Sequence, residues 1–411
     1  MLTLSSDATR LALAHADHAA LHDAHTGELL GRIDIAEHLD DELVSIDALP
    51  AHFAITLRRT LLLARASDFA VVARHRIDPV PLAFIGASPR RAVFASLHQV
   101  FVLDLDTDLG EHTLRPLPIR SARVAGGTHG AIGPRAVAVD RDVRRALVVP
   151  NERHGTLFDL ERLVPIATLP VRSARPGFDA SGTRILDGLS GTLWNASTGA
   201  PIADLGIATG AAWCDDSSRF LLARRRDAWL CDHDGQRLRT VSIAITNAPL
   251  ACGSIRALCE TTDGVFLVDL ERGKAMATLA PPRGDDTEHH HALFAANETR
   301  ALTWMRGTSA PAISLWSLDD AHRIASLPAP DSRDPKSLLV LAHTLVVMSD
   351  DGRPRAFSLD TGVDLGTLDV GTDGIVDVAA IPERDSCWIV TSSGAIRRFD
   401  LEERASITPN P

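Results

Sequence analysis

One short pattern returns along this chain at intervals of about 42 residues, the length of a small four-stranded unit. Its clearest copy runs from Asp263 to Gly273. An Asp-Gly turn leads into the β-rich run Val265 to Val268, Asp269 ends the run, and a second turn follows at Arg272-Gly273. The same grammar centres on Asp23, Asp104, Asp159, Asn195, Asp232, Asp269, Ser317, Ser358 and Asp400, with a weak copy at Ala73. A second landmark keeps phase with the first. Arg10, Arg91, Arg145, Arg184, Arg219, Arg256 and Arg300 precede their centres by 13, 13, 14, 11, 13, 13 and 17 residues.

The units read as strands. Their apolar runs, such as Phe220 to Ala223 and Ala146 to Val149, are too short for helices and are bounded by Asp, Ser, Gly, Asn or Pro. They are also nearly unbroken, as strands covered on both faces must be. A four-stranded sheet cannot hide both faces alone, but sheets stacked radially can. The expected fold is therefore all-β, a β-propeller of four-stranded antiparallel blades spanning 1–411. Within it, 34–49 reads as a helical insertion, and 121–134 and 280–291 as long loops between blades. Ten units fit one large ring, two rings, or a ring of seven or eight blades with extra pieces. Residues 1–33 either form a unit of their own or complete the last one.

The third-strand ends carry a resemblance. Trp194-Asn195, Phe158-Asp159, Phe399-Asp400 and Trp316-Ser317 stand where the WD-repeat family has Trp-Asp. Asp263-Gly264, Ser190-Gly191, Asp351-Gly352 and Ser393-Gly394 match its preceding turn. The chain thus resembles a degenerate WD-repeat propeller, with no intact Trp-Asp and no Gly-His before the first strand. The resemblance implies a rigid body whose loops bind other proteins.

A net charge of −11 makes phosphate backbones poor partners, so no nucleic acid is expected. No run of 18 apolar residues predicts a membrane span, and no secretory leader opens the sequence. The five cysteines form no C-x-x-C pair and read as reduced, buried thiols. A cytoplasmic protein is expected, and the scarcity of lysine beside abundant Ala and Arg suggests a bacterial source.

No phosphate loop, nucleophile elbow or His-Glu-x-x-His motif occurs, so catalytic residues and cofactors are assigned none. The only weak metal candidates are Asp285, Asp286, His289, His290 and His291, which consecutive placement disfavours as a single ligand set. Arg153, His154, Arg224, Arg225, Arg226 and Arg306 occupy equivalent tips between second and third strands. They are expected to form a basic arc for an acidic protein partner. The favoured expectation is a non-enzymatic scaffold in a multi-protein assembly. The alternative is a ligand-binding or hydrolytic propeller with a metal or polar site in its channel.

Overall fold

The computed structural model describes residues 2–401 except 6, 15–16, 36–41, 78–81, 97–98, 106–111, 118–135, 150–153, 173–175, 215–217, 247–248, 281–288, 296–297, 307–311, 329–337, 349–352, 371–374, 382–384 and 392–395. The described residues hold no α-helix and thus none that could cross a membrane. They form ten antiparallel sheets in chain order: 2–34, 43–76, 83–116, 136–169, 177–204, 210–241, 251–280, 289–328, 338–367 and 375–400. Each is a meander whose strands pair in sequence order. Nine have four strands, and the tenth has three among the described residues. Two compact units, 1–206 and 207–411, contain five sheets each.

Within each unit the sheets lean on one another as the nearly unbroken apolar runs require. Side chains alternate across a strand, so each inner sheet gives one face to the sheet before and the other to the sheet after. Phe53, Ile55, Leu62 and Ala64 pack with sheet one, whereas Ala54, Leu61 and Leu63 pack with sheet three. The other core clusters join sheets three and four, four and five, six and seven, seven and eight, eight and nine, and nine and ten. First strands touch first strands of the next sheet, as in sheets three to five and six to eight. That convergence places the first strand innermost and the fourth at the rim.

The two sequence landmarks meet across one strand pair. All seven arginines open the second strand of their sheet, and each lies opposite the centre residue that closes the third: Arg10 faces Asp23, Arg219 faces Asp232 and Arg300 faces Ser317. The centre side chain then caps the following turn. Asp23, Asp159, Asn195 and Asp232 each accept two backbone amides, which satisfies donors at the strand end. Four residues after the centre the chain turns left-handed in seven sheets, at Gly27, Phe69, Leu163, Gly199, Gly273, Ala321 and Gly362.

The arginines also clasp the next sheet. Arg145, Arg219 and Arg256 donate to the carbonyls of Gly182, Ser254 and Glu298, each two residues before the arginine of the following sheet. Arg91, Arg256 and Arg300 pair with Glu161, Asp319 and Asp360, each two residues after the following sheet's centre.

Eight fourth strands carry a bulge at a large aliphatic or Met residue: Leu30, Val72, Ile166, Ile202, Leu238, Met276, Ile324 and Leu365. A bulge twists the rim strand and blunts its open edge. The next residue is Gly or Ala in seven of the eight, and at three of them the turn of the following sheet packs directly on it. Ala167 lies against Gly199 and Ala325 against Gly362. Where the turn residue is Phe69, its partner has shrunk to Gly31.

Three expectations are corrected. The second centre is Arg65, which closes the third strand Thr60–Arg65, while Ala73 lies in the fourth strand Val71–Arg76. The uneven gaps of 50 and 31 thereby become 42 and 39. The described residues of 34–49 are not helical: Asp34 ends one strand and Leu43–Ala48 is another, consistent with the period-two order Val44, Ile46, Ala48, while 36–41 lie outside the described residues. Of the loop expected at 280–291, Ala280 ends the strand Lys274–Ala280 and His289 to His291 open the strand His289–Ala295, while 281–288 lie outside the described residues. Residues 121–134 lie outside the described residues. Residues 1–33 belong to a sheet of their own.

Candidate functional site

Sheet six concentrates positive charge in an acidic protein. Between Arg219 and Val241 the sequence holds six arginines against three aspartates. They fall at two ends of the sheet. The run Arg224-Arg225-Arg226 occupies the tip between the second strand Arg219–Ala223 and the third Ala228–Asp232, as expected. Arg224 is held down there: its guanidinium lies 4.0 Å over the Trp229 ring, and the Trp229 indole donates to Asp227. Arg225 and Arg226 are exposed.

The other end opens into a cleft of about 500 Å³ between sheets six and seven. Arg219, Arg239, Arg272 and Glu271 line it, over buried Leu230 and Leu270, with Leu238 at its lip. Three local departures from the repeat build it. The turn after Asp232 is one residue shorter, so its left-handed glycine is Gly235, three rather than four residues on. Leu238, the bulge residue, is 53% exposed. Arg239 fills the slot that holds Gly or Ala in the seven other bulged strands, and its stem lies across Gly273, where a Cβ would come within 2.7 Å of Arg239 Cδ. Beyond the cleft the rim continues through exposed Arg237, Lys274 and Met276. The fourth strands Arg237–Val241 and Lys274–Ala280 contain no carboxylate. Arg272 pairs with Asp269 at 3.6 Å and Arg219 donates to the Ser254 carbonyl, and the three guanidiniums beside Glu271 over an apolar floor suit an anionic group attached to a hydrophobic one.

The remaining candidates fall in both units. His154 is exposed in the first unit, and Arg224, Arg225 and Arg226 belong to the second. Arg153 lies outside the described residues. Arg306 ends the strand Arg300–Arg306. Of the metal candidates, Asp285 and Asp286 lie outside the described residues. His289, His290 and His291 are consecutive strand positions paired with Arg306, Met305 and Trp304. Alternation denies three consecutive positions a common face, and the His291 ring stacks on Trp304. No group of His, Cys, Asp or Glu among the described residues could hold a metal ion. All five cysteines are free and buried, and burial pushes the Cys231, Cys259 and Cys387 thiols up to about 12.

Sequence reasoning singled out the tip arginines but missed Arg239, Arg272 and Leu238. The available signal was a long basic residue where the repeat demands a small one. It also missed a histidine cluster in the seam of sheets two and three. The His52 and His112 rings meet edge to face at 5.1 Å, and burial with the nearby His112 and Arg65 charges pushes His52 down to about 4. Burial lowers His75 and His112 as well.

Ten consecutive antiparallel meanders, with faces shared between neighbours within each unit and first strands innermost there, define a β-propeller protein. No family model matches the sequence, and no curated protein does. Solved structures do resemble the fold. A crystal structure described as the eukaryotic initiation factor aligns with TM-score 0.52 at 11% identity, covering 90% of this chain and 87% of that one. Dihydro-heme d1 dehydrogenase NirN in complex with DHE aligns with TM-score 0.44 at 15% identity over 80% of this chain. The present chain spans 66% of that protein, just under two thirds of its length. At such identities the likeness to the initiation factor is one of fold alone.

Proposed function

We propose that this protein is a non-enzymatic scaffold of the degenerate WD-repeat kind, acting in the cytoplasm, which binds an acidic protein partner through sheet six. The carrying observation is the concentration of arginine there, six residues against three aspartates, in a chain of net charge −11. A local patch of opposite sign to the whole body steers an acidic partner to one place while the rest of the surface repels it. Exposed Leu238 and Met276 beside the arginines add apolar surface that a purely solvating patch would not show.

Fluorescence anisotropy with labelled acidic and basic peptides of equal length tests the proposal. The acidic peptide is expected to bind with an affinity that falls as salt rises. Reversal of Arg225, Arg226, Arg239 and Arg272 to Glu should abolish that binding while circular dichroism stays unchanged. Equal binding by the reversed variant would overturn the proposal.

A further inference from the structure

We infer that the cleft between sheets six and seven is the anchor point of that interaction, taking an acidic peptide segment that also carries an aliphatic side chain. The inference rests on the scaffold reading above and adds a place and a ligand chemistry to it.

Three observations carry it, and they are independent of the tip arginines. The first is charge. Arg239 and Arg272 are exposed at the cleft, Arg219 lines it from the second strand, and Glu271 is the single carboxylate in the lining. The second is shape and polarity. About 500 Å³ lies within the range of clefts that take small ligands, and Leu230 and Leu270 floor it while Leu238 stands exposed at its lip. Arg272 already pairs with Asp269 at 3.6 Å and Arg219 donates to the Ser254 carbonyl, so the ligand's carboxylate is assigned to Arg239 and the outer side of Arg272, while its aliphatic group covers the apolar floor. The third is the broken repeat. Seven bulged strands follow the bulge with Gly31, Ala73, Ala167, Ala203, Ala277, Ala325 or Gly366, and among the described bulged strands sheet six alone puts a long cation there. A local rule kept seven times and broken once marks a position held for something other than packing.

That exception also supplies a conservative test, since Arg239→Ala installs the residue type most common at the other seams. Three synthetic peptides of equal length serve as probes: alternating Glu and Leu, alternating Glu and Ser, and alternating Lys and Leu. Binding is measured by anisotropy on the full chain. The Glu-Leu peptide is expected to bind more tightly than Glu-Ser, and Lys-Leu not at all. R239A and R272A should each weaken Glu-Leu binding about tenfold, the scale of one lost charge pair. R162A, at an exposed arginine of sheet four outside the proposed surface, should leave it within about twofold. Loss of Glu-Leu binding only in R225A/R226A would overturn the cleft while sparing the scaffold reading. Equal affinity for Glu-Leu and Glu-Ser would remove the apolar half of the inference. Binding of no acidic peptide would remove both readings.

Discussion

Gly362 and Gly366 lie in the same sheet, both with positive φ, at +70° and +96°, yet their surroundings differ. A Cβ on Gly362 would run into Ala325 of the preceding sheet, whereas one on Gly366 would meet nothing within 4 Å. Gly366→Ala should therefore cost only the left-handed backbone penalty, about 1 kcal/mol. Gly362→Ala should add overpacking to it, for a total of about 3 kcal/mol. Urea unfolding of both variants checks this, and equal losses would show that the turn does not press on the neighbouring rim. Much at this scale was legible in the sequence. The arginine-to-Asp spacing is a cross-strand pair, and the turn glycines stand where a left-handed residue is required. The targets of the arginines were not legible. Arg256 reaches the Glu298 carbonyl and Asp319, and nothing local to Arg256 encodes a partner 42 residues away. Arg239 escaped notice for a related reason. A small residue after the bulge becomes a rule only once the bulges are seen.

At the scale of the element, sheet two shows how a repeat can vanish from sequence and persist in space. Its arginine and its Asp have exchanged character: His52 opens the second strand opposite Arg65, which closes the third. Both landmarks were thus lost together, and the sequence alone favoured the wrong centre at Ala73. The exchange leaves an unusual seam. His52 faces Arg65 and His112, and His75 also faces His112, with buried ring nitrogens of His75 and His112 lacking a hydrogen-bond partner. All three imidazoles favour the neutral form in the folded state. Their contribution to stability is then full above the unfolded value near 6.5 and is lost as pH falls, for His52 through about 4. Melting temperature should drop by several degrees between pH 7 and pH 5. The triple variant H52Q/H75Q/H112Q should lose most of that drop. An unchanged drop in the triple variant would place the acid sensitivity elsewhere.

For the whole molecule, the decisive physical fact is that the core is distributed among seams. Among the described residues these core clusters join consecutive sheets and none lies within a single sheet, so sheet seven, residues 251–280, should be unfolded by circular dichroism when excised. The unbroken apolar runs announced this much. They did not say which seam departs from the others, because the cleft follows from a turn one residue shorter and one misplaced arginine. The inner part of that same seam offers a direct measure of how firmly sheets six and seven are joined. Cys214 and Cys252 approach to 3.1 Å between their Sγ atoms, both buried, and they are 38 residues apart. A thiol oxidant such as diamide should take two electrons and two protons from the pair and leave a Cys214–Cys252 disulfide, a mass loss of about 2 Da seen in a single linked peptide. Closing a loop of that length should stabilise the protein by about 3 to 4 kcal/mol if the geometry is unstrained, readable as a raised urea midpoint that reductant reverses. Cys252→Ala should abolish both the link and the rise. If exhaustive oxidation of the folded protein leaves all five thiols titratable after unfolding, the two sheets do not hold these sulfurs together.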